Sequence, residues 1–192
     1  MTAELDRELQ TLENEAERSG PGSAAQVLNM AGDLCLGAGE IERGLVYYGR
    51  AIDASLLARR YNAAAGLCRK VLRVVPTAIR TRCTLAWLAL GRGDAQETTR
   101  EIEGYVSAIS GDGPRALAVA HLRMMAETSG VPAIRTAIAD HLEALGQSAA
   151  AQAIRKSIPA DAHAPALTAG QQEELWQSVV NAATMGPRDL PV

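Results

Sequence analysis

Phenylalanine does not occur in this chain of 192 residues, and aromatic residues make up only 3% of it. Alanine is abundant instead, and small side chains let helices approach closely, which suits helix-on-helix packing better than a β-sandwich core. A large excess of one charge is missing too. The formal net charge of −3 gives no global drive toward nucleic acid or an anionic membrane. No apolar run approaches the roughly 20 residues of a membrane span. The charged, amphipathic start reads as neither signal peptide nor anchor, so a cytoplasmic protein without membrane contact is expected. Cysteine is scarce. Cys35, Cys68 and Cys83 form no C-x-x-C pair and sit within apolar helical patterns, as reduced core thiols do. Catalytic signatures are lacking as well, with no G-x-S-x-G, phosphate-binding glycine loop or H-E-x-x-H. His121 and His141 fall on separate segments without a Cys/His/Asp cluster, and His163 lies in a linker. No catalytic residue, cofactor or metal ligand is therefore assigned.

What is present is helical periodicity. Leu5, Leu9, Leu12 and Ala16 mark an N-terminal amphipathic helix within residues 1–19, closed by Ser19-Gly20-Pro21-Gly22. Ser23 can cap a second helix to Leu36, in which Gly32 allows close approach. A third runs from Glu40 to Ala58 with Leu45, Tyr48, Ile52 and Leu56 in series, and a fourth over 61–75 stops at Pro76. Helices over 114–129 and 132–145 show Leu117, His121, Met124 and Thr128, then Ile134, Ile138, Leu142 and Leu145, as their inward stripes. A short helix ends near Ile158. Residues 159–167 read as a linker. Thr168 and Gln171 then fit a capping box for a last helix over 168–186, with Leu175, Trp176, Val179 and Val180 on one strip.

The stretch Ile79–Tyr105 is central. Cys83 to Leu90 is apolar almost all the way round, so this helix must be covered on every side. A Gly93-Asp94 turn follows it, with Asp94 as N-cap of a helix showing Ile102, Tyr105, Val106 and Ile109. Related features recur along the chain. Gly32 is followed by Gly39-Glu40-Ile41, Gly44, Tyr48 and Ala51; Leu85-Ala86 by Gly93-Asp94, Thr98, Ile102 and Tyr105; Leu122 by Gly130, Ala139 and Leu142.

Over about 25–145 this pattern resembles the tetratricopeptide repeat (TPR), a helix–turn–helix unit with small residues where its helices touch. Arg82 and Thr98 depart from the repeat's preferences, and 61–76 follows the first unit too closely to be a full repeat. A generic bundle or another α-solenoid stays open beside it. The resemblance implies an all-α fold of antiparallel helix hairpins, stacked as a short TPR-like α-solenoid over 23–158. It also implies a non-catalytic adaptor, chaperone or assembly subunit that binds a protein or peptide in a concave apolar groove. Carried onto this chain, that face would show Asn29, Asp33, Arg80, Cys83, Thr84, Trp87, Leu117, Ala120, His121 and Met124. Trp87 is either its aromatic anchor or plain core.

Physics adds an expectation of its own. A helix apolar all round cannot leave one side wet, so the C-terminal helix docks on it, within the chain or by exchange in a homo-oligomer. Two alternatives are weighed against the interaction module. The basic segment 59–82 would suit a nucleic-acid-associated regulatory protein, and a small helical enzyme would need a cluster of ionisable groups that the sequence does not offer.

Overall fold

The computed structural model describes residues 2–159 and 168–185. Among them every regular element is a helix: α1 (Thr2–Arg18), α2 (Pro21–Gly37), α3 (Ile41–Leu57), α4 (Tyr61–Val74), α5 (Ile79–Arg92), α6 (Ala95–Ser107), α7 (Asp112–Thr128), α8 (Pro132–Ala144), α9 (Ser148–Lys156) and α10 (Ala169–Met185). No helix among the described residues is long and apolar enough to cross a membrane. Residues 160–167, most of the expected linker with His163, and the tail from 186 lie outside the described residues.

The chain forms two compact units that divide between Pro76 and Thr77. The boundary falls inside the stretch read as one repeat domain, where Pro76 follows the end of α4 and prevents the helix from continuing. The first unit includes α1, which the sequence reading set apart. Leu9 and Ala16 bury against the apolar side of α2, with Leu5 and Leu12 partly covered. Asp6 pairs with Arg43 at 2.6 Å, and Glu13 accepts from both Tyr47 (3.0 Å) and Arg50 (2.9 Å), tying α1 to α3. The α2/α3 hairpin is closely apposed. A Cβ on Gly32 would meet the Tyr48 ring at 2.6 Å, and one on Gly44 would stand 3.2 Å from the Gly32 carbonyl. Only glycine lets these surfaces meet.

Three turns share one geometry. Glu40 N–H donates to Cys35 O, Arg60 N–H to Ser55 O and Gln147 N–H to Leu142 O, at 2.8–2.9 Å, each from the second residue past a helix cap. The residue before it is left-handed each time: Gly39 (φ 82°), Arg59 (φ 58°) and Gly146 (φ 79°). This is the Schellman closure, which satisfies the last helical carbonyls. Because the same residues Glu40, Arg60 and Gln147 also start the next helix, three connections are held to the same length.

In the second unit α5 is buried on all sides, from Cys83 through Gly91. The α5/α6 turn uses Gly93 at φ 73°, and Asp94 caps α6 by accepting the Glu97 N–H at 2.9 Å. Ile102 and Tyr105 of α6 and Ile134, Ile138 and Leu142 of α8 are fully buried. At about 1.5–3 kcal/mol for each fully buried large apolar side chain, these stripes carry most of the folding drive. Two local expectations are corrected. Pro21 opens α2 in its first turn with Gly20 before it, so Ser23 is inside the helix and caps nothing. On α7 the inward stripe is Ala118, His121, Leu122 and Met125; Met124 is exposed and Leu117 only half-buried.

Candidate functional site

The site is built on α5. Its apolar residues cover the whole circumference, so each neighbour takes a different face. Toward α6 and α7 it meets a buried polar cluster. The Cys83 Sγ lies 3.5 Å from His121 Nδ1, and the Tyr105 hydroxyl 3.0 Å from the same nitrogen. Burial pushes the Cys83 thiol up to about 12, and burial likewise drives the Tyr105 phenol far above its ordinary value. A thiol in that state is protonated at neutral pH and is no nucleophile. Trp87 is fully buried, and its indole Nε1 has no hydrogen-bond partner. The cluster holds α5, α6 and α7 together and has no access to solvent.

The C-terminal half of α5 meets α10. Thr168 and Gln171 form the capping box: Thr168 N–H donates to Gln171 Oε1 at 3.0 Å, and Gln171 N–H to Thr168 Oγ1 at 3.3 Å. The helix that follows presents Gln172, Trp176, Val179, Val180 and Ala183 on one strip. Val179, Val180 and Ala183 are buried. Trp176 lies flat over Gly91, where a Cβ would come within 2.6 Å of Cζ3 and 2.9 Å of two more ring atoms. The Gln172 side-chain amide donates to the Gly91 carbonyl at 2.9 Å. That carbonyl belongs to the last turn of α5, where main-chain acceptors lack an intrahelical donor. Thus α10 fills an apolar seat and completes the end of the helix it covers.

Beside the seat runs a cleft of about 650 Å³. One wall is the next strip of α10, comprising Gln171, Glu174, Leu175 and Ser178; the other comes from Leu90, Gly93, residues 127–131 and Arg135. Glu127 and Glu174 form no salt bridge among the described residues. The Arg135 Nη2 reaches Ser157 at 2.5 Å, and its buried Nε has no partner.

In the first unit a separate polar group joins α2, α3 and α4. Asp33 accepts the Tyr48 hydroxyl and pairs with the Lys70 ammonium, which also donates to Asn29 Oδ1 at 2.8 Å and stands 4.8 Å over the Tyr48 ring. Burial would raise the Asp33 carboxyl, but the hydrogen bonds from Lys70 and Tyr48 hold it below the ordinary value of 3.8. Every member is satisfied by another, which makes a staple.

These placements sort the expected partner-binding residues. Asn29 and Asp33 come together, engaged with Lys70. Cys83 and His121 also come together, but in the interior. Cys83, Thr84, Trp87 and His121 are all buried and offer no surface to a partner, because α5 is covered on each face. Arg80 and Leu117 are half-buried, while Ala120 and Met124 are exposed. Of the four docking residues, Val179 and Val180 are buried, Trp176 sits on Gly91, and Leu175 faces the cleft. The basic run 59–82 is not an open stripe. Arg60 donates to Gly22 O, Lys70 is paired with Asp33, and Arg82 lies over Gly104. Gly91 and Gln172 carry the seat and escaped the sequence reading; a glycine in an otherwise unbroken apolar helix was the available signal. Among the described residues no group of three His, Cys, Asp or Glu side chains could hold a metal ion. Comparison with known protein families, curated proteins and solved structures finds no match for the chain.

Proposed function

We propose that this chain is a non-catalytic protein–protein interaction module, a TPR-like adaptor, chaperone or assembly subunit whose α5 groove accepts an amphipathic helix. The observation that carries this reading is the seating of α10: Trp176 on Gly91, Gln172 on the Gly91 carbonyl, and Val179 buried beside them. A groove that receives one helix by side-chain burial and one main-chain hydrogen bond has the chemistry to receive another of the same pattern. The Schellman turns at Gly39, Arg59 and Gly146 support the repeat character, since they set the same helix-to-helix step three times.

The test keeps the full chain. Trp176→Ala with Val179→Asp should undock α10, seen as faster amide exchange across 168–185 with α5–α9 still protected. The opened groove should then bind a fluorescent peptide of residues 168–185 saturably, and not the peptide bearing the same two changes. An undocked variant that binds neither peptide refutes the reading.

A further inference from the structure

We infer that the α5 groove is the docking surface for a partner helix bulkier and more basic than α10, and that α10 is its resident competitor. The inference rests on the helix-acceptor reading above and adds the partner's chemistry. Three observations carry it. First, the groove is already occupied by a helix, so its shape and polarity toward helices are known. Gln172, Trp176, Val179 and Val180 define a docking strip at i, i+4, i+7 and i+8.

Second, α10 does not fill the space available. Its neighbouring strip, Gln171, Glu174, Leu175 and Ser178, borders the cleft of about 650 Å³ without closing it, and Leu175 remains half-buried. That volume lies within the range of sites that hold ligands. An occupant with a ring in place of Leu175 and an apolar side chain in place of Ser178 would bury surface that α10 leaves open, against Leu90 and Val131 on the opposite wall.

Third, the charges are mismatched. Glu174 of α10 and Glu127 of the α7/α8 corner line the same cleft, and neither forms a salt bridge among the described residues. A cationic side chain at the Glu174 position would replace a like-charge neighbour with an opposite one. The partner helix therefore carries Gln, a basic residue, a large apolar residue and Trp at the positions of Gln172, Glu174, Leu175 and Trp176, followed by an apolar residue and the Val-Val pair. The deficits of α10 are offset by its covalent attachment, since a tethered segment acts at an effective concentration of about millimolar. A free copy of α10 cannot displace it at micromolar concentration; a better-fitting helix can.

The experiment compares two synthetic peptides on the intact chain. One is residues 168–185 unchanged; the other carries Glu174→Lys, Leu175→Phe and Ser178→Leu. Hydrogen exchange is followed on the isotopically labelled chain, so its own α10 is read separately from the peptide. The redesigned peptide should strip protection from 168–185 at a concentration on the order of tenfold lower, the ratio that one well-buried side chain supplies. Equal potency of the two peptides overturns the inference, as does binding that leaves α10 protected. If both bind the Trp176→Ala/Val179→Asp chain equally, the helix acceptor stands and only the partner's chemistry fails. Binding of neither to that chain refutes the acceptor itself. A concentration-dependent dimer in sedimentation without peptide, lost with Trp176→Ala, would assign the groove to a second copy's α10 and also overturn the inference.

Discussion

Gly91→Ala separates the docking of α10 from the stability of the helix beneath it. On the α5 side the substitution is favourable, because alanine in a helix interior is better than glycine by about 1 kcal/mol. That gain applies whether α10 is docked or not, so it does not enter the docking equilibrium. The new Cβ would lie 2.6 Å from Trp176 Cζ3 and 2.9 Å from Cε3 and Cη2, whereas carbon atoms pack comfortably only at about 3.5–4.0 Å. The ring must retreat by roughly 1 Å, and a helix that moves with it stretches the 2.9 Å bond from Gln172 to the Gly91 carbonyl beyond hydrogen-bond range. Losing that bond costs about 1 kcal/mol, and the gap opened under a large aromatic costs on the order of 1–2 kcal/mol more. Docking should weaken by about 2–3 kcal/mol in all, or some 30- to 150-fold. Amide exchange across 168–185 should accelerate by that factor, while amides of α5 exchange no faster and α5 gains local helicity. Unchanged protection of α10 would refute the seat; equal loss of protection in α5 and α10 would show that they open as one.

Three other perturbations test the rest of the molecule. Replacing Arg59 by glycine should raise the melting temperature, because the φ of 58° costs a side-chain-bearing residue about 1 kcal/mol that glycine avoids; a lower melting temperature would mean that this turn is not left-handed. Cys35, Cys68 and Cys83 are buried, and with a thiol value near 12 only about one Cys83 in 10⁵ is ionised at neutral pH. A maleimide should thus label no cysteine in the native protein and all three in denaturant, and a fast native label on Cys83 would contradict its placement. The lowered Asp33 value means that its contribution is present above 3.8 and lost as pH falls through the folded value. Thermal melts from about pH 5 downward should show that loss, and Lys70→Met should flatten it; a slope that ignores the substitution would remove Lys70 as the cause.

How much of this was legible beforehand depended on how local the signal was. Asp94 before α6 and Thr168 with Gln171 before α10 are caps whose partners lie three residues away, and each forms the bond its spacing implies. The burial of α5 was legible because a helix without a polar face has only one environment open to it. On α7 the stripe was placed one residue off. Leu117, Ala118, Val119, Ala120, Leu122, Met124 and Met125 put apolar atoms all round, so a period of 3.6 has no unique phase. The role of Trp87 depended on which neighbours cover it, a tertiary fact that no local pattern contains. The same holds for Gly91 and Trp176, which meet across 85 positions of sequence.

The two places where an aromatic ring rests on a helical glycine show why one is a permanent seam and the other suits exchange. Tyr48 lies on Gly32 within a single hairpin; it is fully buried, its hydroxyl is held by Asp33, and Lys70 closes over its ring. Removing it would strand a carboxylate and an ammonium that now neutralise each other, so ring, ion pair and hairpin must come apart together. Trp176 lies on Gly91 with half its surface still exposed to some degree and an unfilled cleft along the next strip of its helix. When α10 leaves, what is uncovered is apolar surface and one carbonyl at a helix end, which water can satisfy. The cost of opening is then chiefly hydrophobic, and a competing helix that buries the same surface and fills the cleft recovers it in full.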